Sequence, residues 1–219
     1  MRFNRTLRVL LACALTAGAP AAYAGAQIYE PLSASVRAAL TKAIADQAVP
    51  YLAFETESEA REWLNSMSAR LEKRIPDRVA REELLVTVHY EAKRAGLDPQ
   101  MVLGLIQVES AFRKYALSSA GARGFMQVMP FWVNVLGAGE DYNLFHMRTN
   151  LRFGCVILRH YLDIEKGDLY RALGRYNGSL GKPQYPNIVL AAWRGTWNFL
   201  PVPKAASRSA GGNLTASSM

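Results

Sequence analysis

The sequence predicts an all-α protein, and three observations carry that expectation. Apolar residues recur at three- and four-residue spacing along most of the chain, helix start and stop signals bracket those runs, and no convincing alternating strand of useful length occurs. Half of the 219 residues are apolar and a fifth are charged, which fits one globular domain with a modest extension. Ordinary Gly and Pro content and only two cysteines exclude collagen-like, coiled-coil and disulfide-scaffold classes.

Taken in order, residues 1–24 read as a secretory signal peptide. Arg2, Arg5 and Arg8 form a basic start, residues 9–19 a short apolar run, and Ala22-Tyr23-Ala24 a small-residue cleavage site. An exported, periplasmic protein cleaved near Ala24 is expected. Leu10-Leu11-Ala12-Cys13 is a weak match to a lipoprotein box, so membrane attachment is expected only if Cys13 is lipidated. The leader holds three arginines and no acid, so its removal lowers the formal net charge from +8 to +5. A basic exported protein suits an acidic cell-wall polymer or anionic lipid. Nucleic acid is not expected, because no long run of like charge and no interleaved aromatic–basic cluster occurs.

Val36, Leu40, Ala43 and Ile44 mark a first helical face. Ala60, Trp63, Leu64, Met67 and Leu71 mark a second, opened by Thr56 and Glu59 as a capping box. Leu84, Leu85, Val88, Ala92 and Ala95 form a third, stopped at Gly96. Asp98 and Pro99 then cap and start a fourth through Val102, Leu103 and Ile106. Later helices are expected at 148–166, 168–177 and 185–200, the last placing Trp193 and Trp197 on one packing face. Ile75-Pro76-Asp77 marks a boundary. Residues 25–80 are therefore read as a helical N-terminal extension, 81–200 as the compact unit, and 201–219 as a disordered tail. Cys155 sits at helical spacing among leucines and reads as a small core hydrophobe.

Glu109 is the first candidate for chemistry. It ends the strongly apolar run 101–106, and burial there favours the protonated form that a general acid needs. Ten residues on, Ser118-Ser119-Ala120-Gly121-Ala122-Arg123-Gly124-Phe125-Met126-Gln127-Val128-Met129-Pro130 brings the backbone through tight turns. Asn150-Leu151 then opens a helix, and Tyr176-Asn177 closes another. His89, His146 and His160 are far apart and carry no metal motif, so no metal site is expected.

These blocks, in this order, resemble the soluble lytic transglycosylase family with its goose-lysozyme-like fold. Glu109-Ser110-Ala111-Phe112, Ser118, Gly121-Ala122, Gly124, Met126-Gln127, Pro130, Asn150-Leu151 and Tyr176-Asn177 carry the match. Lys114, Phe125 and Gly178-Ser179 depart mildly from it. The resemblance covers roughly 81–195 and implies a lysozyme-like helical catalytic domain acting on peptidoglycan glycan strands without a cofactor. It implies that Glu109 is the single catalytic acid and base, giving 1,6-anhydromuramoyl ends. It also implies that Tyr176 holds Glu109, that Ser118, Gln127 and Asn177 grip sugar groups, and that Met126 supplies an apolar cleft wall. Ser118 capping a turn, Tyr176 only packing and Asn177 only ending its helix stand as the plainer readings. A hydrolysing muramidase would need a second carboxylate, for which Glu140 and Asp141 are the candidates. A noncatalytic cell-wall-binding or secretion-assembly protein is the other alternative.

Overall fold

Start and stop signals in the sequence act largely where they are read. In the computed structural model, which describes residues 27–45, 47–137 and 143–200, Thr56 Oγ1 accepts Glu59 N at 3.2 Å while the Glu59 carboxylate accepts Thr56 N at 3.3 Å. Asp98 accepts Met101 N at 2.9 Å. Gly96 takes φ 67°, and Leu97 N returns to Ala92 O at 2.8 Å. The described residues form eight helices and no sheet: α1 (Ala34–Ile44), α2 (Glu57–Leu71), α3 (Arg78–Arg94), α4 (Pro99–Ser110), α5 (Phe131–Val135), α6 (Met147–Ile164), α7 (Leu169–Tyr176) and α8 (Gln184–Arg194). The expected leader with Cys13, the pair Glu140 and Asp141, and the tail lie outside the described residues.

Three elements differ from expectation. The five-residue α5 is too short to show a periodic pattern. α3 begins at Arg78, so the boundary drawn at residue 80 falls inside its first turn. α8 stops at Arg194, and Trp197 therefore does not share a helical face with Trp193. Trp197 is instead buried beyond the helix, its indole N–H donating to Gln107 Oε1 at 2.9 Å and its ring 5.2 Å from Phe112.

α4 is the axis of the molecule. Met101, Val102, Leu103, Leu105 and Ile106 are all essentially inaccessible, and Gly104 lets α8 approach until a Cβ there would stand 2.9 Å from Trp193 N. The N-terminal helices share this core. Trp63, Met67 and Leu71 of α2 pack with Leu84, Leu85 and Val88 of α3, and Arg81 ties the connection by donating to Ser68 Oγ at 2.7 Å and Ile75 O at 2.8 Å. Glu91 of α3, fully buried, receives Arg152 at 3.0 Å and Arg94 at 3.1 Å. Arg152 also donates to Ile44 O at 3.1 Å, so one charge cluster joins α1, α3 and α6. Removing one member of such a cluster leaves an uncompensated buried charge.

The histidines occupy separate places. His146 caps α6, and His160 lies against Trp132 and Tyr161. His89 is stacked on Phe54 at 4.6 Å and edges Trp63 at 5.0 Å. Burial, helped by the Lys93 charge, lowers its pKa from 6.5 to about 4. The unfolded chain takes up a proton below pH 6.5 that the folded chain refuses until about pH 4, so this contribution to stability falls as pH drops through that window. Between pH 7 and pH 5 the wild type should lose about 2 kcal/mol more unfolding free energy than His89→Phe. Urea unfolding at both pH values measures the difference, and parallel losses in the two proteins would contradict it.

Candidate active site

The apolar sequence of α4 carries Glu109, its next-to-last residue, into the interior, where only 1% of it is exposed. The chain then turns abruptly. Ala111 and Phe112 take φ 50° and 64°, two consecutive non-glycine residues in the left-handed region. That conformation costs roughly 1–2 kcal/mol per residue, and burial of the Phe112 ring against Trp197 offsets it.

Residues 111–130 contain no helix and only two isolated bridges, Leu117 with Arg123 and Arg123 with Val128. Side chains therefore satisfy much of the buried backbone. Ser110 Oγ donates to Phe125 O at 2.7 Å. Asn150, fully buried at the start of α6, accepts Met126 N at 2.8 Å and donates to Arg123 O at 2.7 Å and Leu144 O at 2.9 Å. Gly124 has φ 74°, and a Cβ there would meet Asn150 Nδ2 at 2.4 Å, so both its conformation and its neighbour require glycine.

The expected site residues converge on this loop but divide by task. Ser118 Oγ accepts Ala122 N at 3.0 Å and so caps the turn. Gln127 is buried, and its amide donates to Gly124 O at 3.0 Å and Ala116 O at 3.2 Å, which spends both its protons inside the loop. Met126 does not line a cleft. It is fully buried against α6, where a Cβ on Gly154 would meet its sulfur at 2.4 Å. Asn177 ends α7 and donates to Ser179 Oγ at 3.0 Å, while its buried Oδ1 accepts no hydrogen bond.

The tyrosine expected to hold Glu109 is also reassigned. Tyr176 Oη donates to Met126 O at 2.8 Å, so its proton supports the loop. Tyr185, on α8, donates to Glu109 Oε1 at 2.5 Å. Burial first, then the Glu109 charge, pushes both phenols well above their ordinary value near 10, so each is a neutral donor at physiological pH. Tyr185 is not among the site residues expected from the sequence. Its position on the first turn of the helix that packs along α4 could have marked it, since that turn stands beside the C-terminal end of α4.

Gln27 is a further residue at the site that no sequence motif marks. Its amide donates to Gln127 O at 3.2 Å, accepts Met129 N at 3.1 Å and reaches the Tyr176 hydroxyl. Cys155 is fully buried, and burial pushes its thiol up, which leaves it an inert core residue. Among the described residues no group of three or more His, Cys, Asp or Glu side chains is arranged to hold a metal ion.

Part of the chain is similar to known proteins. Residues 87–186 match the family model described as the transglycosylase SLT domain. The chain is 48% identical over 52 residues to membrane-bound lytic murein transglycosylase C of Actinobacillus pleuropneumoniae serotype 5b, which covers 24% of this chain and 14% of that protein. It is 50% identical over 46 residues to the Glaesserella parasuis protein of the same name, covering 21% and 13% of the two chains. A transglycosylase of Enterobacteria phage PRD1 is 32% identical over 99 residues, 45% of this chain and 36% of the phage protein. The matches thus span from about one-eighth to just over one-third of these relatives' length. Glu109, the 118–130 loop, Asn150, Tyr176 and Tyr185 all fall inside residues 87–186, the stretch that is similar to the transglycosylase SLT domain.

Proposed function

We propose that this protein is a peptidoglycan lytic transglycosylase in which Glu109 serves first as acid and then as base. The observation that carries the reading is a buried carboxyl group at the end of α4, hydrogen-bonded by the neutral Tyr185 phenol, within the family-matched region. The protonated Glu109 gives its proton to the glycosidic oxygen between N-acetylmuramic acid and N-acetylglucosamine, and the bond from that oxygen to the anomeric carbon breaks. The muramoyl C6 oxygen then bonds to the same carbon and returns its proton to Glu109. No water enters, and the product is a 1,6-anhydro ring. During the interval Glu109 is a carboxylate in a buried site, where an unpaired charge is costly. The Tyr185 hydrogen bond meets that cost without adding a permanent positive charge.

The supporting residues take narrower roles than their resemblance implies. Ser118, Gln127, Tyr176 and Met126 shape the loop beside Glu109. Asn177 Oδ1 is a buried acceptor that receives no hydrogen bond, and an amide or hydroxyl proton of the glycan would satisfy it on entering the site. An envelope location follows from the export signal read in residues 1–24 and from the substrate. No helix among the described residues is long and apolar enough to cross a membrane.

Purified peptidoglycan digested with the protein should yield muropeptides with anhydro ends, one water lighter than reducing ends by mass spectrometry. Predominantly reducing ends would identify a hydrolase instead. Glu109→Gln should fold and bind glycan while losing nearly all turnover, because an amide can neither deliver nor accept the proton. The two tyrosines should separate cleanly. A hydrogen bond to a charged group contributes about 1.5–3 kcal/mol, so Tyr185→Phe should lower kcat by about ten- to over a hundred-fold, with KM and Tm nearly unchanged. Tyr176→Phe leaves the buried Met126 carbonyl without its donor, so it should cost about 1–3 kcal/mol of stability and less turnover than Tyr185→Phe. The opposite ordering in kcat would return the Glu109 contact to Tyr176.

A further inference from the structure

We propose that residues 27–33 form an autoinhibitory strap over the loop and the α7 end that flank Glu109, seated by Gln27 and released when glycan binds. The proposal rests on the glycan-cleaving reading of the same site.

The segment has no secondary structure, yet it is pinned on both sides of the site. On the loop side, Gln27 Oε1 accepts Met129 N at 3.1 Å and its amide nitrogen donates to Gln127 O at 3.2 Å. On the helical side, the same amide reaches Tyr176, and Glu30 pairs with Arg175 at 2.6 Å on α7. Tyr29 lays its ring edge-on to Phe131 at 5.7 Å, just after the loop. Gln27 is only 4% exposed, whereas Ile28 and Tyr29 are 62% and 52% exposed, so the chain dips into the site at one residue and leaves it at once.

The chemistry of that dip identifies what it competes with. A backbone N–H and a backbone C=O, two residues apart, face one planar amide, donor to acceptor and acceptor to donor. An acetamido group of an N-acetylated sugar carries the same pair of functions. Glu109, Gln127, Tyr176 and Tyr185 are all essentially inaccessible in this arrangement. A glycan strand must reach Glu109 to be cut, so an element next to the site has to move.

The strap is held by fewer contacts than the loop. Three neutral hydrogen bonds of Gln27, the half-exposed Glu30–Arg175 pair and the partly buried Leu32 favour its closed state by about a hundred- to a thousandfold. A ligand that binds only the open state has its affinity reduced by the open fraction, and loosening the strap recovers part of that loss.

The test uses the full chain carrying Glu109→Gln, with and without Gln27→Ala, and separately with Glu30→Gln, a surface change that leaves the core untouched. Purified peptide-free glycan strands are the probe. Kd should fall roughly five- to tenfold with Gln27→Ala and by a smaller factor with Glu30→Gln. Deuterium uptake by residues 27–33 of the parent should rise when glycan is added. In chains that retain Glu109, the same two changes should raise kcat/KM. Unchanged or weaker glycan binding in both variants would overturn the strap, and weaker binding would make Gln27 a sugar-holding residue. Reduced deuterium uptake on glycan binding would overturn it as well. Tighter binding without turnover in any chain retaining Glu109 would uphold the strap and sink the lytic reading.

Discussion

The loop from Ala111 to Pro130 sets the terms for the rest of the structure. It runs through the interior with almost no backbone ladder of its own, and buried N–H and C=O groups left unmatched are expensive. The molecule meets that demand from several directions. α4 supplies Ser110, α6 supplies Asn150, α7 supplies Tyr176 and the N-terminal segment supplies Gln27. Each contact fixes the loop and fixes the donor element against it. The position of Glu109, one residue before this loop's first anchor, therefore depends on four separate stretches of chain.

Two buried glutamates show how environment separates structural from chemical roles. Glu91 sits among Arg94, Arg148 and Arg152, and its charge is spent joining helices. Glu109 has the Tyr185 phenol on its carboxyl, a donor that accommodates either protonation state. A guanidinium in the same place would hold the carboxylate ionised and oppose its use as an acid. Placing the donor on α8 is possible because Gly104 lets α8 lie close along α4.

Much of this was legible in the sequence, because periodicity and caps report local structure. The helices through α4, the capping box at Thr56 and the stop at Gly96 all follow from neighbours within four residues. Glu109 was legible too, as a carboxylate closing an apolar helix. What resisted reading was anything decided by distant partners. Tyr176 and Tyr185 are both tyrosines near helix ends, and only the packing of α7 and α8 decides which phenol reaches Glu109. Gln127 and Ser118 look like polar groups waiting for a ligand, yet Gln127 gives both amide protons to the irregular loop and Ser118 accepts a backbone N–H within it. Met126, beside Gln127, carries no sign that Gly154 is cut away to receive it. Gln27 lies a hundred residues from its partners, and nothing local marks it.

Access to Glu109 is the remaining physical problem, and the distribution of hydrogen bonds indicates where it is solved. Opening the 116–130 loop would break the Asn150 contacts, the Ser110 bond and the Tyr176 bond together, each leaving a buried group unmatched at about 1–3 kcal/mol. Separating α8 from α4 would expose the main apolar packing of the molecule. By contrast, residues 28–31 are exposed, and Glu30 keeps about half of its side chain in water while paired with Arg175. Ion pairs of that kind hold little. Releasing residues 27–33 breaks only the Gln27 contacts with Gln127, Met129 and Tyr176 among the loop's anchors, so the proposed strap is the part of the site that yields at least cost.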